Sequence, residues 1–374
     1  MNLTAHHLRV TLDVETPIEL DEHPGAALRG MLFNALRGPR RRPELGFCTQ
    51  RHLNTCAECP LVAVCPVAGL VATLNPQADR GRDVPRPYAI VPPGGDKRCY
   101  QPGESLTFGL TLFGQALNLF PYLVMALRQA GPGGLGRKQP SLDSGRLQRG
   151  EFSLQAVHAV NLLSGEVQEV LQEGSTLVQQ PSLPVTPDQV EAAGRQLLSQ
   201  PVPFAANGNH EGSLYQPGQN SAPLTLTLHF RTPTRIIEQG RLLKEPDFAP
   251  IFHRLLNRLL ALSREFGPQT ALPHQADSIG YVAKPVLEEA GQKEKLLRLT
   301  DQVELVDNQT YWQDLWSYSA RKGGKTPIGG FMGQASYHAP YPVWRELLPY
   351  LLWGTVIHVG KNAVKGDGVI AVSR

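Results

Sequence analysis

The order of apolar patterns along the chain predicts an α+β fold: two tandem ferredoxin-like β-α-β-β-α-β units with a cysteine-rich, metal-binding insertion in the first. Three observations carry the prediction. Strand-type alternation and helix-type stripes follow one another in the same order twice. A stretch rich in Pro, Gly, Asn and Ser, residues 181–222, separates the two rounds. Four cysteines crowd into an excursion at 39–86 that is too long for a plain connection. The expected division is 1–180, a linker at 181–222, and 223–374.

In the first unit, HLRVTLDVE (7–15) alternates apolar and polar residues and reads as a half-buried strand. GAALRGMLFNALRG (25–38) places Ala27, Leu28, Met31, Leu32, Ala35 and Leu36 at helical spacing, and Gly38 with Pro39 ends that helix. After the excursion, PYAIVPP and SLTFGLTLFG read as strands. LNLFPYLVMALRQAG (117–131) reads as a helix with Pro121 in its first turn, the one place an interior ring is tolerated. A Gly-rich basic loop follows, then FSLQAVHAVNLLSGEVQEVL as strand.

In the second unit, LTLTLHFRTPTRII (224–237) is the first strand and PDFAPIFHRLLNRLLALSREFG (246–267) a long amphipathic helix. An irregular segment leads to the strands TYWQDLWSYSA and IGGFMGQASYHA, joined by the basic loop RKGGKTP. VWRELLPYLLWG (343–354) is the second helix, and a Gly-rich loop runs from it into the last strand, GVIAVS.

A formal net charge of +3 excludes a globally basic coat, so any polyanion must be gripped by local clusters. Four clusters exist: Arg37, Arg40, Arg41 and Arg42; Arg137, Lys138, Arg146 and Arg149; Arg321, Lys322 and Lys325; Lys361 and Lys365. They hold 13 of the 36 lysines and arginines, and Asp143 is the one acid within them. Each alone reads as a solvated loop; together they favour a grip on a polyanion. The N-terminus has no apolar leader core and no apolar run approaches the length of a membrane span, so a soluble, cytoplasmic protein with reduced cysteines is expected.

HVGKNAVKGDGVI (358–370) invites a nucleotide-loop reading, but a P-loop follows a strand and opens a helix so that free N–H groups face phosphate. Here a helix precedes and a strand follows. The same order recurs at 131–155, so two Gly-rich basic loops are expected to line one groove. In the second loop Gly360, Gly366 and Gly368 are expected to face phosphate beside Lys361 and Lys365. The competing reading is that the glycines only permit tight turns.

GGFMGQASY, the helix containing LLPYLL and HVGKNAVKGDGVI resemble the C-terminal domain of the CRISPR-associated endoribonucleases of Cas family six, in the RAMP superfamily. The Arg-Gly of ALRGMLFNAL and the cluster C-x7-C-x2-C-P-L-x3-C-P agree with it. The resemblance spans both halves and is most specific over 328–370. It implies tandem ferredoxin-like domains, binding of CRISPR repeat RNA, and metal-independent cleavage of precursor crRNA to a guide, with other CRISPR-associated effector or adaptation proteins as partners. A non-catalytic RAMP subunit of an effector complex is the alternative function. A zinc-containing binder of another nucleic acid is a remoter one.

Metal-free cleavage uses the ribose 2′-OH as nucleophile and needs a base, an acid and positive charge at the phosphate. Histidine suits the proton transfers. By likeness to the family His52 is the first candidate, although its place between Cys48 and Cys56 also suits a ligand or a bystander. His23, His253 and His338 are further candidates, and His358 reads as structural at the end of a buried strand. Lys361, Lys325 and Arg41 are the charge stabilisers, each of which would serve equally as a phosphate contact. Tyr311, Trp312, Trp316 and Tyr318 flank the RKGGKTP loop, and read as sheet packing or as base contacts. Cys48, Cys56, Cys59 and Cys65, with one C-x2-C pair, suggest a closed structural zinc site, with an iron–sulfur cluster as the other option. Cys99 stands apart as a simple thiol, and no cofactor is expected for catalysis.

Overall fold

The structure, a computed structural model, describes residues 2–39, 43–53, 55–72, 85–140, 145–200, 223–267, 287–319 and 324–374. Strand β1 (Ala5–Val14) leads to helix α1 (Pro24–Arg37), whose buried stripe of Leu28, Met31, Leu32, Ala35 and Leu36 is the one the helical spacing predicts. The excursion contains the short helix α2 (Pro66–Leu70). Strands β2 (Tyr88–Val91) and β3 (Ser105–Phe113), helix α3 (Phe120–Ala130), a hairpin of β4 (Leu135–Pro140) and β5 (Leu147–Gly150), and strands β6 (Phe152–Val160) and β7 (Val167–Leu171) complete the first half. Its antiparallel sheet runs β2-β3-β1-β6-β7. The expected last strand is thus a hairpin, β6 with β7, the latter an added edge.

Ala5 pairs with Phe113, and His7 with Thr111, which also pairs with Ala89. Residues opposite each other share a face. Leu8, Val10 and Leu12 point the other way, into a core built with α1 and α3. Ala5, Phe113 and Ala89, with Leu3 and Val185, instead join the core of the second half.

Residues 181–200 of the segment expected to be a linker pack on the rest of the molecule. Val185 bridges back to Ala5, and helix α4 (Pro187–Ser199) starts with a capping box between Thr186 and Gln189. Its buried Val190 and Leu198 belong to the second core, and Gly194 lies against Leu348, Pro349 and Leu352.

The second half comprises β8 (Pro223–Thr234), α5 (Phe248–Phe266), α6 (Leu287–Thr300), β9 (Glu304–Gln313), the ribbon β10 (Trp316–Ser319) and β11 (Gly324–Pro327), β12 (Gly330–Pro340), α7 (Tyr341–Ile357) and β13 (Ile370–Ser373). Its sheet runs β9-β12-β8-β13, all antiparallel. With β1, β2, β3 and β6 numbered as strands one to four of the first half, both sheets have the order 2-3-1-4. The predicted strand 310–320 is two strands: Leu315 turns into the core and accepts the Ile328 N–H, and β10 departs from the sheet. Helix α6 falls in a segment expected to be irregular. Among the described residues no helix is long and apolar enough to cross a membrane.

Candidate nucleic-acid interface

Helix α1 organises the surface between the halves. At its start, Pro24 occupies the first turn, where a missing N–H costs nothing. His23 just before it donates from Nε2 to Asp367 Oδ1 at 2.5 Å, and both side chains are buried. Burial pushes the Asp367 carboxyl up, and the His23 hydrogen bond pulls against that shift. Gly25 has no Cβ because the carbonyl of Lys365 fills that space. The Gly-rich loop of the second half is therefore docked on the N-terminal end of a first-half helix.

Within that loop Val359 N–H bonds to Gly368 and Gly368 N–H to Pro233, at 2.8 and 3.0 Å. Gly366, Asp367 and Gly368 are buried; Gly366 lies against Pro92 and Gly368 against the Val359 carbonyl. At Gly366 and Gly368, expected to face phosphate, protein atoms stand where a side chain would begin. Gly360 is half-buried against Arg235 and Ile236, and Lys361 is the exposed residue. Lys365 is half-buried; burial and then Arg29 push its ammonium pKa down, while Asp367 opposes them. His358 caps α7 at φ 65°, so it ends a helix and not a strand, and it is fully buried. Burial, then Arg258 and His7, lower it to about 3.

The other end of α1 meets the cysteine-rich excursion. Arg51 donates to the carbonyls of Cys48 (3.3 Å), Pro39 (3.5 Å) and Arg37, satisfying groups that a helix C-terminus leaves open. Phe47 N–H bonds to the Leu36 carbonyl at 2.8 Å. Arg37 is exposed, its guanidinium 5.9 Å from the Phe33 ring, and the neighbouring His52 is also exposed. Arg40, Arg41 and Arg42 lie outside the described residues, as do Arg321 and Lys322; of Lys325 only the backbone, in β11, is described. Arg51, next to His52 in sequence, thus touches the last turn of α1, whereas Lys365 touches Gly25 in its first turn, about 18 Å away along the helix at ~1.5 Å per residue.

Between the ends runs a cleft of about 570 Å³, lined by Asp21, Glu22 and His23 just ahead of α1, by Ala26, Gly30 and Asn34 of α1, by the β4–β5 hairpin and by Trp316. Arg137 pairs with Glu19 at 3.0 Å and with Asp21, so part of its charge is spent on the protein; Lys138 is exposed. Arg149 donates to the Gly136 carbonyl at 2.9 Å. The first Gly-rich stretch is this hairpin, so both Gly-rich stretches border α1, one at its side and one at its start. Trp316 is 61% exposed, whereas Trp312 is half-buried with the Lys244 ammonium 3.6 Å from its ring centre. Tyr311 is exposed on β9, and the Tyr318 side chain lies outside the described residues.

The remaining histidine candidates have protein partners: His253 Nδ1 lies 2.9 Å from Glu238, and His338 Nδ1 3.0 Å from the Thr225 hydroxyl. Cys48, Cys56, Cys59 and Cys65 are half-buried free thiols and Cys99 is an exposed one.

Residues 228–370 match the profile of the CRISPR-associated endoribonuclease Cas6. The second half of the chain carries a domain of the Cas6 family. Ahead of this Cas6 domain, residues 3–183 match a family described as an N-terminal domain. A partial Cas6-RT-Cas1–Cas2 complex aligns with the whole chain at 14% identity and a TM-score of 0.54, and this chain spans 46% of that longer one. Thermus thermophilus Cas6 aligns with 100% of this chain and 99% of its own at 15% identity, TM-score 0.48. A Cas6 product complex aligns with 98% and 99% at 16% identity, TM-score 0.49. No curated protein matches the sequence. Sequence reasoning missed the partner of His23, Asp367, and the place of Asn34 in the cleft. Asp367 was legible only as an acid between two glycines.

Proposed function

We propose that this chain binds CRISPR repeat RNA along the exposed side of α1 and cleaves precursor crRNA there without a metal ion. One observation carries the reading: the domain that matches the endoribonuclease profile clasps, through Asp367 and Lys365, the helix that borders an open cleft with Asn34, Arg149 and Trp316 in its walls. Folded RNA is recognised through phosphate contacts and unstacked bases, which such a mixture of cationic, amide and aromatic groups suits. The equal strand orders support reading the halves as tandem ferredoxin-like domains, 1–180 and 223–374, with 181–200 packed on the second. The resemblance to a Cas6-RT-Cas1–Cas2 assembly in fold makes adaptation proteins candidate partners.

In the proposed reaction His52 takes the proton of a 2′-OH, and the 2′ oxygen bonds to phosphorus while the bond to the 5′ oxygen breaks. Arg37 opposes the charge that builds on the phosphate, and solvent at this exposed site supplies the proton for the leaving oxygen. The products are a 5′-OH and a 2′,3′-cyclic phosphate. Lys361, at the far end of α1, holds a backbone phosphate and does not act in the chemistry.

The test is single-turnover cleavage of a repeat hairpin in EDTA. We expect His52→Ala to slow cleavage by roughly 10²–10⁴-fold with little change in Kd, and Lys361→Ala to raise Kd instead. Tight binding of RNA that stays intact would remove the enzyme and leave an RNA-binding subunit.

A further inference from the structure

The proposed reaction makes no use of the four cysteines ahead of α2. They lie on a stretch with little else to order it: from Glu44 to Cys65 no described residue is buried, and the apolar core resumes only with Pro66 and Val67. A 22-residue run without burial does not hold a conformation by packing. Its backbone is nevertheless folded into successive turns, Cys59 N–H to the Cys56 carbonyl at 3.2 Å and Val62 N–H to the Cys59 carbonyl at 3.0 Å. Cys48 and Cys65, the outer pair, both pack against the edge of the first core, and Cys65 is the residue before the first turn of α2. The ends of the cysteine segment are thereby fixed on one body, with the Cys56–Cys59 turn between them.

Thiols that coordinate a cation lose their protons outright, and the cation offsets the charge of the thiolates so formed. Among the described residues no three His, Cys, Asp or Glu side chains already stand in a metal-holding arrangement. In small metal-organised segments the last approach of the ligands belongs to binding itself, because folding and coordination are one step.

We propose that Cys48, Cys56, Cys59 and Cys65 hold one structural zinc ion as a closed four-thiolate site, and that this ion fixes the excursion on the end of α1. Zinc suits four sulfurs and asks for tetrahedral geometry with no open position. Arg51, which bonds to the Arg37 carbonyl at the end of α1, and His52 lie between the first and second ligands, so the ion also fixes the loop that carries both. Only the consequence for His52 rests on the cleavage reading; the site itself does not.

The experiment measures metal on the full-length protein at rest, without RNA. Elemental analysis after growth in zinc-replete medium is expected to give one zinc per chain, released by a mercurial titrant and replaceable by Co(II) with thiolate charge-transfer absorbance. Cys99→Ser should keep the zinc, and Cys48→Ser and Cys59→Ser should each lose most of it, with circular dichroism reporting the rest of the fold. Should those variants fail to fold, the wild-type stoichiometry and Co(II) spectrum still decide. Zinc far below one per chain with no Co(II) thiolate band overturns the site, and iron with sulfide in its place overturns the assignment to zinc. Either failure leaves the cleavage assay untouched.

Discussion

Trp316 shows how a single residue can change meaning between sequence and structure. Among four aromatics flanking a basic loop, nothing in the sequence separates packing from contact. The structure separates them through Leu315, whose burial breaks the strand and swings Trp316 into the cleft while Trp312 stays against Lys244. That turn depends on which strands pair, which no local pattern records. Stacking of an unpaired base on an aromatic ring is worth about 1–3 kcal/mol, so Trp316→Ala should weaken repeat-RNA binding by about 5- to 150-fold in a polarisation assay. Trp316→Phe should recover most of it. An unchanged affinity in Trp316→Ala would place the RNA elsewhere. His52 is a candidate only by likeness, and the bond of its neighbour Arg51 to the end of α1 carried no signal in the sequence.

Among the elements, α1 was the most legible, its boundaries within a residue of those the apolar spacing gives. Helix α6 was not, because Leu296 is the one fully buried apolar residue described in it and a single core contact makes no stripe. The β4–β5 hairpin was hidden for a related reason: Arg137, Lys138 and Gln148 leave no alternation, and Leu135 is its one residue in the first core. Two glycines of α1 test what the helix is for. Gly25→Ala puts a methyl into the Lys365 carbonyl and should cost about 1–3 kcal/mol by overpacking, lowering the melting temperature. Gly30→Ala meets no atom within 4 Å and should stabilise by about 0.5–1 kcal/mol. Equal effects of the two would deny the clasp between the halves.

At the scale of the molecule, the halves share buried polar groups. His7 donates or accepts at Thr111 across 2.9 Å, and Arg258, lowered to about 10 by burial, bonds to the Ile357 carbonyl next to His358. Burial, then Arg9, lowers His7 to about 4, and His358 lies lower still at about 3. Free histidine protonates near pH ~6.5, so the unfolded chain binds more protons below that value. The stability these residues lend is complete above about 6.5 and is lost as pH falls toward their folded values. Melting temperature should therefore decline between about pH 6.5 and 4, and His7→Asn should flatten the decline. A slope unaltered by that change would assign it to other groups. None of this was visible in the sequence, where His7 is one polar position in an alternating strand.

The two cores interleave, since Leu3, Ala5, Phe113 and Val185 pack with residues as late as Ile370. Ribosomes extend a chain at about 5–20 residues per second, so these apolar side chains stand uncovered for roughly 10–70 s while the rest is made. The newborn first half is thus an exposed surface in search of its own unfinished end. Chaperone dependence of this protein should scale with translation speed through its second half.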